Sequence, residues 1–228
     1  MENDPKAIRV ERYSTSRVQD WTDVLRRARN GIFQFERAYM DYHGDRFEDI
    51  SLLAFEGRRP VALMPAAIDK EGTVTSHPGL TFGGVVLDRR MRSGQAIEVF
   101  RAMYDRLQKL GGLRWRIKVL PSAFASYPSS EIDYALWRHG FTLYRRDLSS
   151  ILPLHDSLGF NAGKAYGEKK ARKSGVVIGE RTMTEFHGLL RSVLLERHGA
   201  EPVHSEAELA LLKSRFPQQI FCRCAIRE

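Results

Sequence analysis

Residues 73–110 read TVTSHPGLTFGGVVLDRRMRSGQAIEVFRAMYDRLQKL, which is two strand-like apolar runs, a short basic loop and a long amphipathic helical pattern. Gly79, Gly83 and Gly84 remove side chains where a backbone or a ligand can come close. Residues 89–94 fall between strand and helix, where free N–H groups and the helix dipole favour an anion. The layout is a candidate phosphate cradle. It is also the layout of a strand, a tight turn and a packing helix, because short glycine motifs recur by chance. In the helix Ala96, Phe100, Met103, Leu107 and Leu110 recur at steps of three and four, so one face is expected to be buried against a sheet, and Gly111 and Gly112 end it.

Upstream, residues 8–13 form a short β-like run, and a helix runs from Asp20 through Trp21, Val24, Leu25 and Ala28 to a stop at Asn30 and Gly31. In FQFERAYMDYHGDRF, Phe35, Tyr39 and Tyr42 recur at helical spacing while Glu36, Arg37, Asp41 and His43 point elsewhere. His43 lies near Asp41 and Asp45, the setting of a proton carrier or of a surface cap. Residues 50–56 and 61–68 are two β-rich runs joined by the hairpin loop Gly57-Arg58-Arg59-Pro60, and residues 73–77 and 80–87 add two more strands with a break at His77-Pro78-Gly79.

Downstream, residues 113–120 alternate cleanly. Leu113, Trp115, Ile117 and Val119 fall on one face, and Arg114, Arg116 and Lys118 fall on the other. The cations line an anion cleft or a solvated face. A helix from Ser130 to His139 and a strand over 141–152 follow. The order predicts an α+β fold with a mixed, mainly antiparallel sheet flanked by helices.

At residue 161 the composition shifts to NAGKAYGEKKARKSG, a basic stretch that reads as a connector helix or as a binder of phosphate or RNA backbone. After it a strand at 176–180, helices capped by Thr182 with Glu185 and by Ser205 with Glu208, and a strand at 219–226 repeat the β-α-α-β opening of the chain. Asp45-Arg46-Phe47 before the strand at Ile50 echoes Ser214-Arg215-Phe216 before Ile220. The expectation is one complete unit over 1–155 and a linker helix with the truncated start of a second unit over 156–228. A strand without its next partner leaves an edge and an apolar face, so the chain is expected to be a fragment, a natural truncation, or completed by another chain such as a second copy.

Composition sets the outer bounds. The 228 residues are 43% hydrophobic and 10% aromatic, values of a globular protein, and no run of about 18 apolar residues is present to span a bilayer. The first residues, MENDPKAIRVERY, lack the apolar core of a secretory signal, which points to a cytoplasmic address. Cys222 and Cys224 are too few for a zinc site and poorly placed for a stapling disulfide, so no metal is expected. Thirty-six basic against 28 acidic residues give a net charge of +8, which favours phosphate-bearing partners.

The element order, together with FERAYMDYHGDRFEDISLL, HPGLTFGGVVLDRRM, KKARKSGVVI and ERHGAEPVHS, resembles the GCN5-related N-acetyltransferase (GNAT) superfamily. The tandem arrangement resembles its Fem-type bacterial branch. The resemblance implies an acyltransferase in which a substrate amine attacks an acyl donor. That donor is acyl-coenzyme A or, in the alternative, aminoacyl-tRNA, and the acceptor is a small-molecule or cell-wall amine. It places the acyl group beside the backbone of Leu80, Thr81, Phe82, Gly83 and Gly84, phosphate at Arg89, Arg92 and Gly94, proton transfer at Tyr42 or His43, and tRNA at Lys169, Lys170 and Arg172. The family's pyrophosphate loop carries two small residues where Arg89-Arg90-Met91-Arg92-Ser93-Gly94 offers one glycine, which sets a non-catalytic binding remnant of a tandem protein beside the enzyme.

Overall fold

The apolar runs between Ile50 and Leu87 become the middle of a sheet in the computed structural model, which describes residues 7–44, 46–153, 155 and 159–227. In order, the chain forms β1 (Ile8–Arg12), α1 (Val18–Arg27), the single turn α2 (Arg37–Met40), β2 (Glu48–Asp49), β3 (Leu52–Glu56), β4 (Arg59–Met64), β5 (Ala67–Ile68), β6 (Thr73–Thr75) and β7 (Val86–Leu87). Then come α3 (Ser93–Lys109), β8 (Arg114–Arg116) and α4 (Glu131–Arg138). A second set is α5 (Ala162–Lys173), β9 (Val176–Glu180), α6 (Met183–His198), α7 (Glu206–Arg215) and β10 (Arg223–Arg227). The contacts divide these into two units, Met1–Asp147 and Leu148–Glu228.

In the first unit β1, β3, β4 and β7 make an antiparallel sheet in the order β1-β3-β4-β7. Residues 52–55 are all buried because both faces of this sheet are covered, which is why the run is continuously apolar rather than alternating. Leu52, Ala54, Met64 and Leu87 face Phe100, Met103 and Leu107 of α3, while Leu53, Phe55, Leu63 and Val86 face Trp21 and Val24 of α1. The Trp21 indole N–H donates to the Phe35 carbonyl at 2.8 Å, satisfying the one polar group that the ring brings inside.

The second sheet has the order β2-β5-β6-β8, with β6 and β8 parallel and Val74 opposite Trp115. β7 pairs with β4 at Leu63–Val86, and β6 pairs with β5 at Ala67–Thr75. Four residues along one strand therefore face eleven along the other. The surplus leaves the ladder as an excursion over residues 76–85.

In the second unit β9 and β10 pair antiparallel and enclose α6 and α7, the same β-α-α-β path that β1, α1, α2 and β3 follow. Both capping boxes form, with Thr182 Oγ1 accepting from the Glu185 N–H and Ser205 Oγ accepting from the Glu208 N–H, each at 3.2 Å. Among the described residues the buried apolar side chains of this unit are Leu212 and Phe216.

Several sequence expectations need correction. Residues 80–85 belong to the excursion and not to a strand, because their backbone hydrogen bonds go to residues 77 and 118 and to Asn30. The strand expected over 113–120 shortens to β8, and Leu113 and Val119, assigned to its core face, are exposed. No strand forms over 141–152. The helical stretch at 33–43 breaks into α2 between two 3₁₀ turns, and Arg37, set apart from the Phe35, Tyr39 and Tyr42 face by spacing, is buried.

Candidate functional site

Residues 76–85 begin and end on the strand that contains β8. Ser76 donates its N–H to the Arg116 carbonyl at 3.0 Å and its Oγ accepts from the Lys118 N–H at 2.8 Å, and the Gly83 N–H returns to the Lys118 carbonyl at 2.7 Å. The Lys118 ammonium closes the loop from inside, donating to the carbonyls of His77 and Pro78 at 3.2 Å each and of Leu80 at 2.6 Å. An ammonium has three donors, and all three are engaged here, so Lys118 is a loop clamp rather than an anion ligand. Burial, with the neighbouring Arg116, lowers its pKa below the ordinary lysine value.

The glycines serve the chain's own crossing. A Cβ on Gly83 would sit 1.9 Å from the Ser76 carbonyl oxygen, and Gly84 takes φ 85°, which side chains rarely adopt. Leu80 is buried in the cluster with Trp21 and Phe35, and Phe82 packs at its margin against Phe124 at 5.5 Å between rings.

The outer edge of β7 is covered by the segment after α1. The Asn30 side chain accepts from the Leu87 N–H at 2.9 Å and donates to the Val85 carbonyl at 2.8 Å, and the Arg29 N–H donates to the Leu87 carbonyl at 3.0 Å. The loop at residues 89–94 is tied just as closely. Its amides at Arg89, Arg90, Met91 and Arg92 donate to the Arg27 carbonyl, the Asp88 carboxylate, the Asp88 carbonyl and the Gln95 side chain, at 2.9 to 3.2 Å. Arg29, buried below, donates to the Met91 carbonyl and pairs with Glu131, each at 3.3 Å.

Asp88 is the node of this loop, 2% exposed, with Arg27 Nε at 3.0 Å and Arg59 Nη2 at 2.6 Å. Burial works to raise its pKa, but the Arg90 amide and the two guanidiniums prevail and hold it below the ordinary carboxylate range. Beside Asp88 and the start of α3 lies a cavity of about 200 Å³ lined by Glu56, Arg59, Arg90, Met91 and Gln95.

The excursion and the basic loop are joined through β7, and Arg29 and Asn30 bond to both, at the Met91 and Val85 carbonyls. Arg89 and Arg92 are exposed, and a Cβ on Gly94 would meet nothing within 4 Å. Tyr42 is half-buried, its ring 5.8 Å from that of Tyr39, which packs on the cluster containing Leu80. The His43 side chain lies outside the described residues. On α5, Lys169 and Lys170 are exposed and Arg172 is paired with Glu168 at 2.8 Å. Sequence reading missed the buried Arg37, which pairs with Asp41 and Asp49 at 2.5 Å and lies 4.1 Å over the Tyr13 ring. The clustered acids around it, Asp41 and Asp49, were the available signal. Among the described residues no group of three or more His, Cys, Asp or Glu could hold a metal.

No protein-family model matches the sequence, and no curated protein matches it. Among solved structures FemX superposes with a TM-score of 0.56 at 13% identity, over 90% of this chain and 54% of FemX. The chain thus spans about half the length of FemX. A Thermus thermophilus protein has a TM-score of 0.39 at 19% identity, over 64% of this chain and 97% of its own. A DUF2156 domain, from an Agrobacterium fabrum protein named for lysylphosphatidylglycerol synthesis, has a TM-score of 0.33 at 14% identity, over 59% and 42%. The FemX likeness shows the fold, a mixed α+β arrangement of the GNAT type.

Proposed function

We propose that the chain is a Fem-type transferase that moves an aminoacyl group from charged tRNA to an amine. One observation carries the choice of donor. Four consecutive amides of the basic loop, Arg89 to Arg92, already have acceptors within the chain, so the N–H groups that a coenzyme A pyrophosphate would use are taken. The fold likeness also covers 90% of the chain, whereas the first unit ends at Asp147, short of two thirds of it. The likeness therefore reaches the second unit, where Lys169 and Lys170 of α5 are exposed, and they are the proposed phosphate contacts.

In this reading the acceptor amine attacks the ester carbonyl of the aminoacyl-tRNA, a C–N bond forms, the C–O bond breaks, and the tRNA 3′ oxygen leaves with a proton. Within residues 80–84 the amides of Leu80 and Gly83 are bonded to His77 and Lys118, which leaves Thr81, Phe82 and Gly84 to meet the developing oxyanion. Tyr42 is the proposed proton carrier. The open space at Gly94 beside exposed Arg92 favours a second reading, acyl-coenzyme A bound at the α3 N-terminus after the loop amides are released.

Filter binding of charged tRNA to the full chain, paired with coenzyme A calorimetry, tests the proposal. Binding of tRNA that weakens with salt, falls about tenfold in the Lys169→Ala/Lys170→Ala double variant, and leads to amine-dependent discharge is expected. Saturable coenzyme A binding that Arg92→Ala weakens, without tRNA binding, would overturn it.

A further inference from the structure

Cys222 and Cys224 stand at alternate positions where the chain enters β10, so both side chains project to one face. Their Sγ atoms are 3.5 Å apart, both residues are half-buried, and both thiols are free. Across the ladder Cys224 faces Gly179, which has no side chain, and Cys222 accepts the Arg181 N–H at its carbonyl at 3.2 Å. The backbone that carries the sulfur pair is thus held by the ladder.

The spacing discriminates between fates for the pair. A disulfide would have to close the sulfurs from 3.5 Å to about 2.05 Å. Alternate Cα atoms of a strand lie about 6.7 Å apart, at the outer limit for that bond, so β10 would be pulled from its register. A closed zinc site needs four ligands, and among the described residues no third His, Cys, Asp or Glu joins the two. Two bonds of about 2.3 Å from one centre, however, reach sulfurs 3.5 Å apart at an angle of about 100°. Such a centre fits with no movement of the strand.

We propose that Cys222 and Cys224 form a dithiol site for one soft, thiophilic centre with two open positions, for which trivalent arsenic has the matching geometry. The reaction balances without an oxidant. An organoarsenic(III) oxide gives two As–S bonds, its As–O bonds break, and the two thiol protons leave with the oxygen as water. The product carries no charge, which suits a half-buried place.

Phenylarsine oxide titrated into the full chain, followed by intact mass and a free-thiol count, tests the site. One phenylarsenic group per chain, loss of both thiols, and a reduction of about 100-fold in affinity in Cys222→Ser and in Cys224→Ser are expected, because each single variant loses the chelate. Two groups per wild-type chain, or a single variant that binds as tightly as the wild type, would overturn it. Should either variant fail to fold by circular dichroism, the wild type decides alone. Release by 2,3-dimercaptopropanol but not by excess 2-mercaptoethanol supports the chelate, and release by both refutes it.

Discussion

At single residues, two glycines of the same stretch have opposite roles. Gly83 is required because a Cβ there would lie 1.9 Å from the Ser76 carbonyl oxygen, which is backbone and cannot swing aside, whereas Gly94 borders open space. Gly83→Ala should lower stability by about 3 kcal/mol or more, and Gly94→Ala should stay within about 0.5 kcal/mol, both read by urea unfolding. A Gly83→Ala protein as stable as the wild type would contradict the close crossing. Both residues were visible in the sequence as glycines of a candidate cradle. Their difference was not, because what fills the space above Gly83 is Ser76, earlier in the chain and brought back by the excursion. Arg37 was illegible for a similar reason. Its burial depends on Asp49 and Tyr13 from other elements, and helical spacing alone said only that it lies off the aromatic face.

Among the elements, those governed by local pattern were legible. The apolar stripe of α3 and the capping boxes of α6 and α7 stand where spacing placed them. Residues 80–87 carry the same β-rich signal as β4, yet only Val86 and Leu87 join the ladder, since the eleven-against-four mismatch is set by pairing partners that the local pattern does not encode. Acid should reveal how these elements are tied together. Asp49 is half-buried, which works to raise its pKa, but Arg37 and the Ser51 hydroxyl and amide hold it down, and Asp88 is held down likewise. Carboxylates with depressed folded-state values contribute stability that is complete above the ordinary value of about 3.9 and is lost as pH falls through the lower folded value. Urea midpoints should therefore be level near pH 6 and fall steeply below about pH 4. In Asp88→Asn the fall should be shallower and the neutral-pH midpoint lower, and an unchanged slope would exclude Asp88 from the acid response.

On the scale of the whole molecule the two units differ in how much they bury. The first has two clusters, one on each face of its central sheet, while the buried apolar side chains described in the second are Leu212 and Phe216. Hydrogen exchange on the full chain should find β3 and β4 among the slowest amides and β9 and β10 orders of magnitude faster, since local opening exposes little apolar surface there. Equal protection in the two units would overturn that ranking. Asn30 also bears on how molecules of this chain meet one another. Its side chain fills the donor and acceptor positions that another extended backbone would otherwise find beside Val85 and Leu87. A sheet with a vacant margin recruits strands from other molecules and aggregates. In concentrated solution Asn30 therefore acts as a guard against self-association, a task for which a short amide on a loop suffices.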